Sequence, residues 1–240
     1  MAVIPGAVDP SMSSVDGTGL EDLQPAGDPA IEPHFVPPEI RAIPRDRFGN
    51  LYSFNGLPIR VSSSGPVDVV RHTSDTAFFT YVDCGVDCSE YLYLNPLTVS
   101  GEYKIDVLLD IMDQSGAVTS TVSLLPKPAK VKVIPSSTAT ERSTFSGPGA
   151  TECVADKICS FRIQAFDAFG NMVDQQGDPF EVKLVRQDAF PESNVISVPS
   201  KSAFDMDTET FDGKYDVHYQ VTHAGIYSLQ VVRYGVNLEG

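Results

Sequence analysis

Short stretches in which apolar and polar residues alternate recur along the whole chain. Phe161, Ile163 and Ala165, for example, are separated by single polar residues. This period of two predicts a strand with one apolar face and one polar face. The same pattern predicts further strands in this half of the chain at residues 180–184, 195–198, 215–219 and 227–231.

The first half of the chain follows the same plan. Helical periodicity is nearly absent, and Gly, Pro, Asn and Asp residues separate the alternating stretches. About seven short strands in each half predict an all-β chain of two tandem antiparallel β-sandwiches of immunoglobulin-like architecture. The predicted inward positions of the first sandwich are Ile40, Ile59, Val61, Val69, Tyr91, Tyr93, Tyr103, Ile105 and Val107.

Several segments of the chain occur twice. Asp-Arg-Phe-Gly-Asn at residues 46–50 returns as Asp-Ala-Phe-Gly-Asn at residues 167–171. Internal repetition over such a length indicates tandem modules, which serve more often as spacers, scaffolds or adhesive rods than as catalysts. We therefore predict a first domain at residues 3–134 and a second at residues 135–240. Three other matching pairs are residues 17–19 with 147–149, 56–61 with 177–182, and 100–107 with 224–231.

The charge of the chain limits its partners. Its 240 residues carry a formal net charge of −15, whereas nucleic-acid binding needs clustered Lys and Arg residues. We therefore expect no nucleic-acid partner. No apolar run approaches the roughly 20 residues that span a bilayer, so we expect no direct membrane insertion of this segment.

The two ends of the chain suggest that it is a segment of a longer protein. Val-Ile-Pro at residues 3–5 repeats the Val-Ile-Pro at residues 133–135. The second module has no counterpart of the run Ala-Lys-Val-Lys-Val at residues 129–133, which closes the first. We interpret the second module as truncated at its last strand and expect further repeats of the same kind in the parent protein.

Motifs of the second module carry a family resemblance. They are Ser-Gly-Pro-Gly at residues 146–149, Asp-Ala-Phe-Gly-Asn at 167–171, Gly-Asp-Pro-Phe-Glu-Val at 177–182, Phe-Asp-Gly-Lys-Tyr-Asp-Val at 211–217 and Ala-Gly-Ile-Tyr at 224–227. In this order they resemble the filamin-type (ABP280-type) immunoglobulin-like repeat. The first module resembles the family more distantly, with a Pro-rich insertion around residues 33–38. In both modules a Gly-x-Tyr motif, ending in Tyr103 or Tyr227, is similar to a tyrosine corner.

The four cysteines form two local pairs, Cys84 with Cys88 and Cys153 with Cys159. Each pair is close enough in sequence to close a small loop. Disulfides are the favoured interpretation, ahead of free thiols and of a zinc site, because no flanking His supports metal binding. Disulfides would place the protein in an extracellular, lumenal or periplasmic compartment.

Catalytic motifs are absent from the sequence. It contains no nucleophile elbow, phosphate-binding loop, dinucleotide-binding turn or His-Glu-x-x-His. Two acidic runs raise a calcium hypothesis, but they lack the spacing of a calcium loop, and solvated loops are favoured. We predict no enzyme, no catalytic residue, no cofactor and no metal ion. The acidic runs contain Asp83 and Asp87, and Asp205, Asp207, Glu209 and Asp212.

The leading functional prediction is a non-catalytic structural or adhesion segment of a larger cell-surface or extracellular protein. It would act as a rod and as a protein–protein interaction module. The resemblance extends to filamin-type repeats of plant and algal gamete surface adhesion proteins, and the paired cysteines favour an extracellular location.

The alternative is an intracellular cytoskeletal or axonemal scaffold, in the cytoskeleton or the cilium. The family resemblance implies that a partner peptide would add as a strand beside the third strand, in the groove formed with the fourth. The residues predicted for that groove are Phe180, Val182, Leu184, Val195, Ile196 and Val198. Reduced cysteines would favour this alternative.

Overall fold

A computed structural model describes residues 4–52, 56–72, 74, 79–83, 89–174, 177–187, 195–199, 201–205 and 210–238. The chain divides into two compact units, Met1–Ile134 and Pro135–Gly240. In the described residues the regular structure consists of strands and two one-turn 3-10 helices, Thr18–Leu20 and Pro148–Ala150. The predicted all-β fold class is thereby confirmed.

The described residues of the first unit form ten strands in two sheets. One sheet has the order β1-β3-β7-β6, and the other has the order β2-β10-β8-β4-β5, with β9 also pairing with β8. All of these pairs are antiparallel except β2 with β10. The strands are β1 Ser14–Asp16, β2 Leu23–Pro25, β3 Glu39–Ile43, β4 Ile59–Ser64, β5 Val69–His72, β6 Phe79–Asp83, β7 Ser89–Leu94, β8 Gly101–Met112, β9 Val118–Ser123 and β10 Ala129–Ile134.

In the second unit the described residues form two four-stranded antiparallel sheets. Their orders are β11-β12-β16-β15 and β14-β13-β17-β18. A sandwich of two antiparallel sheets is the predicted immunoglobulin-like arrangement. The strands are β11 Thr144–Ser146, β12 Ile158–Gln164, β13 Phe180–Arg186, β14 Val195–Pro199, β15 Lys201–Asp205, β16 Thr210–Gln220, β17 Tyr227–Arg233 and β18 Val236–Asn237.

Alternation along the strands decides which side chains enter each core. In β8 every second side chain from Tyr103 to Leu109 is buried, and the residues between them reach the surface. Val69 is an exception among the predicted inward positions, because it lies on the edge strand β5 and is only half-buried. The second core includes Phe161, Ile163, Ala165, Phe180, Val182, Leu184, Tyr215, Val217, Tyr219, Val221 and Val231.

The repeated Asp-x-Phe-Gly-Asn motif forms the same turn in both units. The carboxylate of Asp46 accepts hydrogen bonds from the third and fifth backbone amides of the motif, and from the side chain of its Asn. Asp167 makes the same contacts. Each carboxylate also accepts a backbone N–H from the start of its own unit, Gly6 for Asp46 and Ser136 for Asp167. The buried aspartate therefore ties the first segment of each unit to the sandwich.

The tyrosine corners are also equivalent in the two units. The hydroxyl of Tyr103 donates to the carbonyl of Val99 at 3.0 Å. The hydroxyl of Tyr227 donates to the carbonyl of His223, also at 3.0 Å. In each case a ring that packs on the core fixes the turn four residues earlier.

Candidate protein-interaction site

The predicted partner groove does not have the predicted geometry. β14 lies in the same sheet as β13 and pairs with it, Val182 opposite Val198 and Leu184 opposite Ile196. The other edge of β13 pairs with β17 along its whole length. Because both edges of β13 are hydrogen-bonded within the chain, a partner strand cannot add directly beside it. This pairing counts against strand addition at β13, and the groove stays a prediction.

The side chains of the predicted groove do not form partner pockets either. Phe180, Val182 and Leu184 point into the core and are buried there. The ring of Phe180 packs edge-on against Tyr215, with 4.9 Å between the ring centroids. These three residues therefore stabilise the sandwich. The side chains of Val195, Ile196 and Val198 lie outside the described part of the chain.

Cys153 and Cys159 form a disulfide, with 5.7 Å between their Cα atoms. Cys159 belongs to β12, and Cys153 lies in the segment that follows the helix Pro148–Ala150. The bridge therefore fixes this connecting segment against the first long strand of the sandwich. Cys84 and Cys88 lie outside the described residues, so their predicted pairing stays a prediction.

A cavity of about 260 Å³ opens beside this disulfide. Residues 149–153 and Ala155 line it, together with Leu184 of β13 and two residues of β17. The hydroxyl of Tyr219 donates to the carbonyl of Gly149 and holds the segment that contains Gly149 in place. The cavity is lined by residues 149–153, Ala155, Leu184, Tyr219, Val221, residues 223–225, Tyr227 and Leu229.

The lining of this cavity is partly apolar. Its surface combines aliphatic and aromatic side chains with backbone segments, among them strand β17. Leu229 and Tyr227 are only partly buried although they pack against the core. Sequence reasoning missed this cavity, because its lining residues come from segments that are distant in the sequence.

An ionic network closes the opposite side of the second unit's core. The carboxylate of Asp178 accepts hydrogen bonds from Arg233 Nε at 2.9 Å and from the hydroxyl of Tyr215 at 3.2 Å. Thr138 donates its hydroxyl to the same carboxylate, and its carbonyl accepts from Arg233 Nη1 at 2.8 Å. Burial, followed by the Asp178 charge, raises the pKa of Tyr215 to about 12. A tyrosine with this pKa stays protonated and acts as a structural donor.

The first unit carries a charged depression of about 670 Å³ along β10, β8 and the end of β4. Lys130 and Lys132 of β10 lie there with Asp22 and Glu102. Side chains of both charges therefore lie along β10, the last strand of the first unit. Within the described residues no group of three or more His, Cys, Asp or Glu side chains is placed to hold a metal ion. The described part of the chain has no helix with the length and apolar character needed to cross a membrane.

Comparison with known proteins identifies the family of the second unit. The model of the Filamin/ABP280 repeat matches residues 137–240. This match confirms the predicted resemblance over that range. Among solved structures, a marsupial T cell receptor aligns with 99% of this chain and 96% of its own chain, at 10% sequence identity and a TM-score of 0.35. A likeness that weak has no bearing on function.

Proposed function

We propose that this chain, whose residues 137–240 are a filamin-type repeat, is a non-catalytic structural and adhesion segment of a larger cell-surface or extracellular protein. Filamin-type repeats are structural modules that mediate protein–protein interactions. The proposal also includes the first unit, as a more divergent repeat of the same type. The two units then act together as a rod that presents protein-binding surfaces.

The observation that carries this proposal is the disulfide between Cys153 and Cys159. Disulfides persist in oxidising compartments and are rare in the cytosol, where thiols are kept reduced. A filamin-type repeat with an internal disulfide therefore fits a secreted or surface protein better than a cytoskeletal one. A second disulfide between Cys84 and Cys88 belongs to the proposal.

The equivalence of the two units supports the tandem arrangement. Asp46 and Asp167 hold the same turn, and Tyr103 and Tyr227 make the same corner. Modules that share such internal contacts are typical of repeat proteins in which each unit is a spacer and a binding surface. The hydrogen bonds around Asp178 also have a structural role, because they hold elements of the second unit to one another.

An intracellular scaffold is the competing proposal. It relies on a partner peptide that adds beside β13, and the pairing of both edges of that strand counts against this mode of binding.

Labelling of intact cells tests the proposed location. Cells that make the protein are treated with a membrane-impermeant, amine-reactive biotin reagent, and the captured fraction is probed for this chain. A cytosolic protein serves as the control for leakage. Capture of this chain without the control supports a surface location, whereas labelling only after permeabilisation would contradict it.

A further inference from the structure

Strand β9 has an open edge in the first unit. It pairs with the second half of β8, and within the described residues no strand pairs with its other edge. β10 continues along the same side of β8, but β2 covers its far edge. Val118, Thr119, Ser120 and Thr121 of β9 are all exposed. The far edge of β9 is therefore accessible to another polypeptide.

The backbone of β9 alternates between β8 and this open edge. The N–H of Leu124, just after β9, donates to the carbonyl of Val107 in β8. In an antiparallel ladder every second residue bonds to the same neighbour, so Val122 and Ser120 also face β8. The N–H and C=O of Thr121 therefore point to the open edge.

This edge lacks the charges that normally protect an edge strand. Natural edge strands are shielded by charged side chains, by proline, by bulges or by short length. The six residues of β9 are Val-Thr-Ser-Thr-Val-Ser, with no charge and no proline among them. Its protective feature is a bulge, at the register shift that leaves Thr119 opposite no residue of β8. Because the bulge lies near the start of β9, residues 120–123 form a regular strand beyond it.

The other edge strands of four or more residues differ from β9 in this respect. In the described part of the chain they are β5, β6, β14 and β15. They contain Arg71, Asp83, Pro199 and Lys201, respectively. Among these five edge strands β9 is the longest, and it alone has neither a charge nor a proline. In a chain with a net charge of −15, a neutral edge of this length indicates a contact surface.

The sequence of β9 is symmetric about Ser120. Residues 118–122 read Val-Thr-Ser-Thr-Val in either direction. Two antiparallel copies related by a twofold axis at Ser120 would place Thr119 of each copy opposite Thr121 of the other. Thr–Thr pairs across antiparallel strands are favourable, and a neutral strand meets no like charge in its own copy. Such self-complementarity is what a contact between two identical chains requires.

We propose that β9 is a self-association edge, at which two copies of this chain pair their β9 strands antiparallel about Ser120. The N–H and C=O of Thr121 then bond to Thr119 of the other copy, and one sheet runs continuously through both first units. This inference goes beyond the proposed function, since it names a second copy of the chain as the partner. It holds at the cell surface and inside the cell alike.

An exposed apolar pair at the start of β9 adds to this contact. Val118 is in register with Met112 of β8, and the two residues are 54% and 48% exposed. A partner strand beside β9 covers part of the Val118 side chain. The contact is nevertheless small beside the roughly 1,200–2,000 Å² of stable interfaces, so we expect a weak dimer with a Kd on the order of 100 μM.

Sedimentation equilibrium of the full chain, from micromolar to millimolar concentration, tests the proposal. The wild type is expected to change from monomer to dimer over that range. Ser120→Lys places two like charges at the twofold axis and should weaken the dimer at least tenfold. Gln114→Lys is the matched control, because it adds the same charge to the exposed turn between β8 and β9. It should leave the dimer within twofold of the wild type.

A pair of opposite charges gives a result that a folding defect cannot imitate. Ser120→Glu should weaken self-association as Ser120→Lys does. An equimolar mixture of the two variants should form a heterodimer at least as strong as the wild-type dimer, because opposite charges then face each other across the axis. Ser120 is exposed, so both variants are expected to keep the fold.

Hydrogen exchange of the wild type locates the contact without any substitution. The amide of Thr121 should exchange several-fold more slowly at millimolar than at micromolar protein concentration, because it is bonded in the dimer alone. The amide of Val122, which bonds to β8 in monomer and dimer, should show no such dependence.

Four results would overturn the proposal. They are a chain that stays monomeric at millimolar concentration, an equally strong dimer of Ser120→Lys, a mixture of the two Ser120 variants that forms no heterodimer, and exchange at Thr121 that does not depend on concentration. None of them bears on the cellular location, which the labelling of intact cells tests separately.

Discussion

Asp178 and Arg233 form an ion pair, in which Nε and Nη2 of Arg233 lie 2.9 Å and 2.8 Å from the same carboxylate oxygen. The two side chains are 11% and 13% exposed. They join the end of β17 to the loop before β13, and Arg233 also donates to the carbonyl of Thr138. The pair thereby connects the beginning, middle and end of the second unit.

Removal of the cation from this pair should destabilise the second unit. Arg233→Ala leaves a nearly buried carboxylate without its charge partner, and we expect a loss of about 2–4 kcal/mol in the free energy of unfolding. The loss should not reach the largest values known for a broken buried ion pair, because Thr138 and Tyr215 still donate hydrogen bonds to Asp178. Urea denaturation measures the change.

The control for this prediction is the exposed ion pair of Arg162 and Asp216. Its nitrogen and oxygen are 2.7 Å apart, but the side chains are 51% and 38% exposed. Arg162→Ala should therefore cost less than about 1 kcal/mol. Equal effects of the two substitutions would mean that the Asp178 network contributes no more than a surface pair.

Two aromatic residues of the second unit should differ in their contribution to stability. Phe180 is buried against Tyr215, so Phe180→Ala should cost about 3–5 kcal/mol through the cavity that it leaves. Tyr227 borders an existing cavity and is partly exposed, so Tyr227→Ala should cost about 1–3 kcal/mol. Chemical denaturation of both variants tests the order. A larger loss for Tyr227→Ala would show that the cavity wall is packed more tightly than the structure has it.

Asp46 should make the first unit sensitive to acid. The hydrogen bond from the Asn50 side chain, followed by that from the Gly6 backbone, lowers the pKa of Asp46 from 3.8 to about 2. A depressed carboxyl pKa adds stability above the unfolded value, and that stability is lost as the pH falls from about 4 through about 2. Thermal unfolding of the wild type and Asp46→Asn between pH 5 and pH 2 measures this. The wild type should lose more stability over that range, and parallel curves would contradict the assignment.

The disulfide should stabilise the second unit. Its cysteines are six positions apart, and the chain-entropy relation gives roughly 2–3 kcal/mol for a loop of this size. The double variant Cys153→Ser and Cys159→Ser should lose about that much in denaturation experiments. Dithiothreitol should destabilise the second unit of the wild type and leave the same unit of the double variant unchanged. Sensitivity of that unit to the reductant in both proteins would indicate a different cause.

Local patterns in the sequence predicted the strands and much of the core. The alternation around Phe161 and Ile163 reports burial directly, because a strand exposes its two faces in turn. The repeated Asp-x-Phe-Gly-Asn motif likewise carries the signature of a tight turn, since Gly and Asn tolerate positive φ and Asp can accept a nearby backbone N–H. These features depend on neighbouring residues alone, so they could be read without the structure.

Relationships between distant segments could not be predicted in the same way. The alternation at residues 180–184 does not reveal that β14 pairs with β13, since strand order depends on the whole sheet. Asp178 and Arg233 are ordinary charged residues until the fold brings them together. The cavity beside Cys153 is lined by residues 149–153 and by Tyr227 and Leu229 of β17, which are distant in the sequence.

The measurement that tests the central claim most directly is the intact mass of protein purified from its native source. The protein is denatured and alkylated with and without prior reduction, so that every free thiol gains one adduct. A surface protein with both predicted disulfides should gain no adduct without reduction and four after it, because the chain has four cysteines. Four adducts on the unreduced protein would contradict the extracellular assignment and favour an intracellular scaffold.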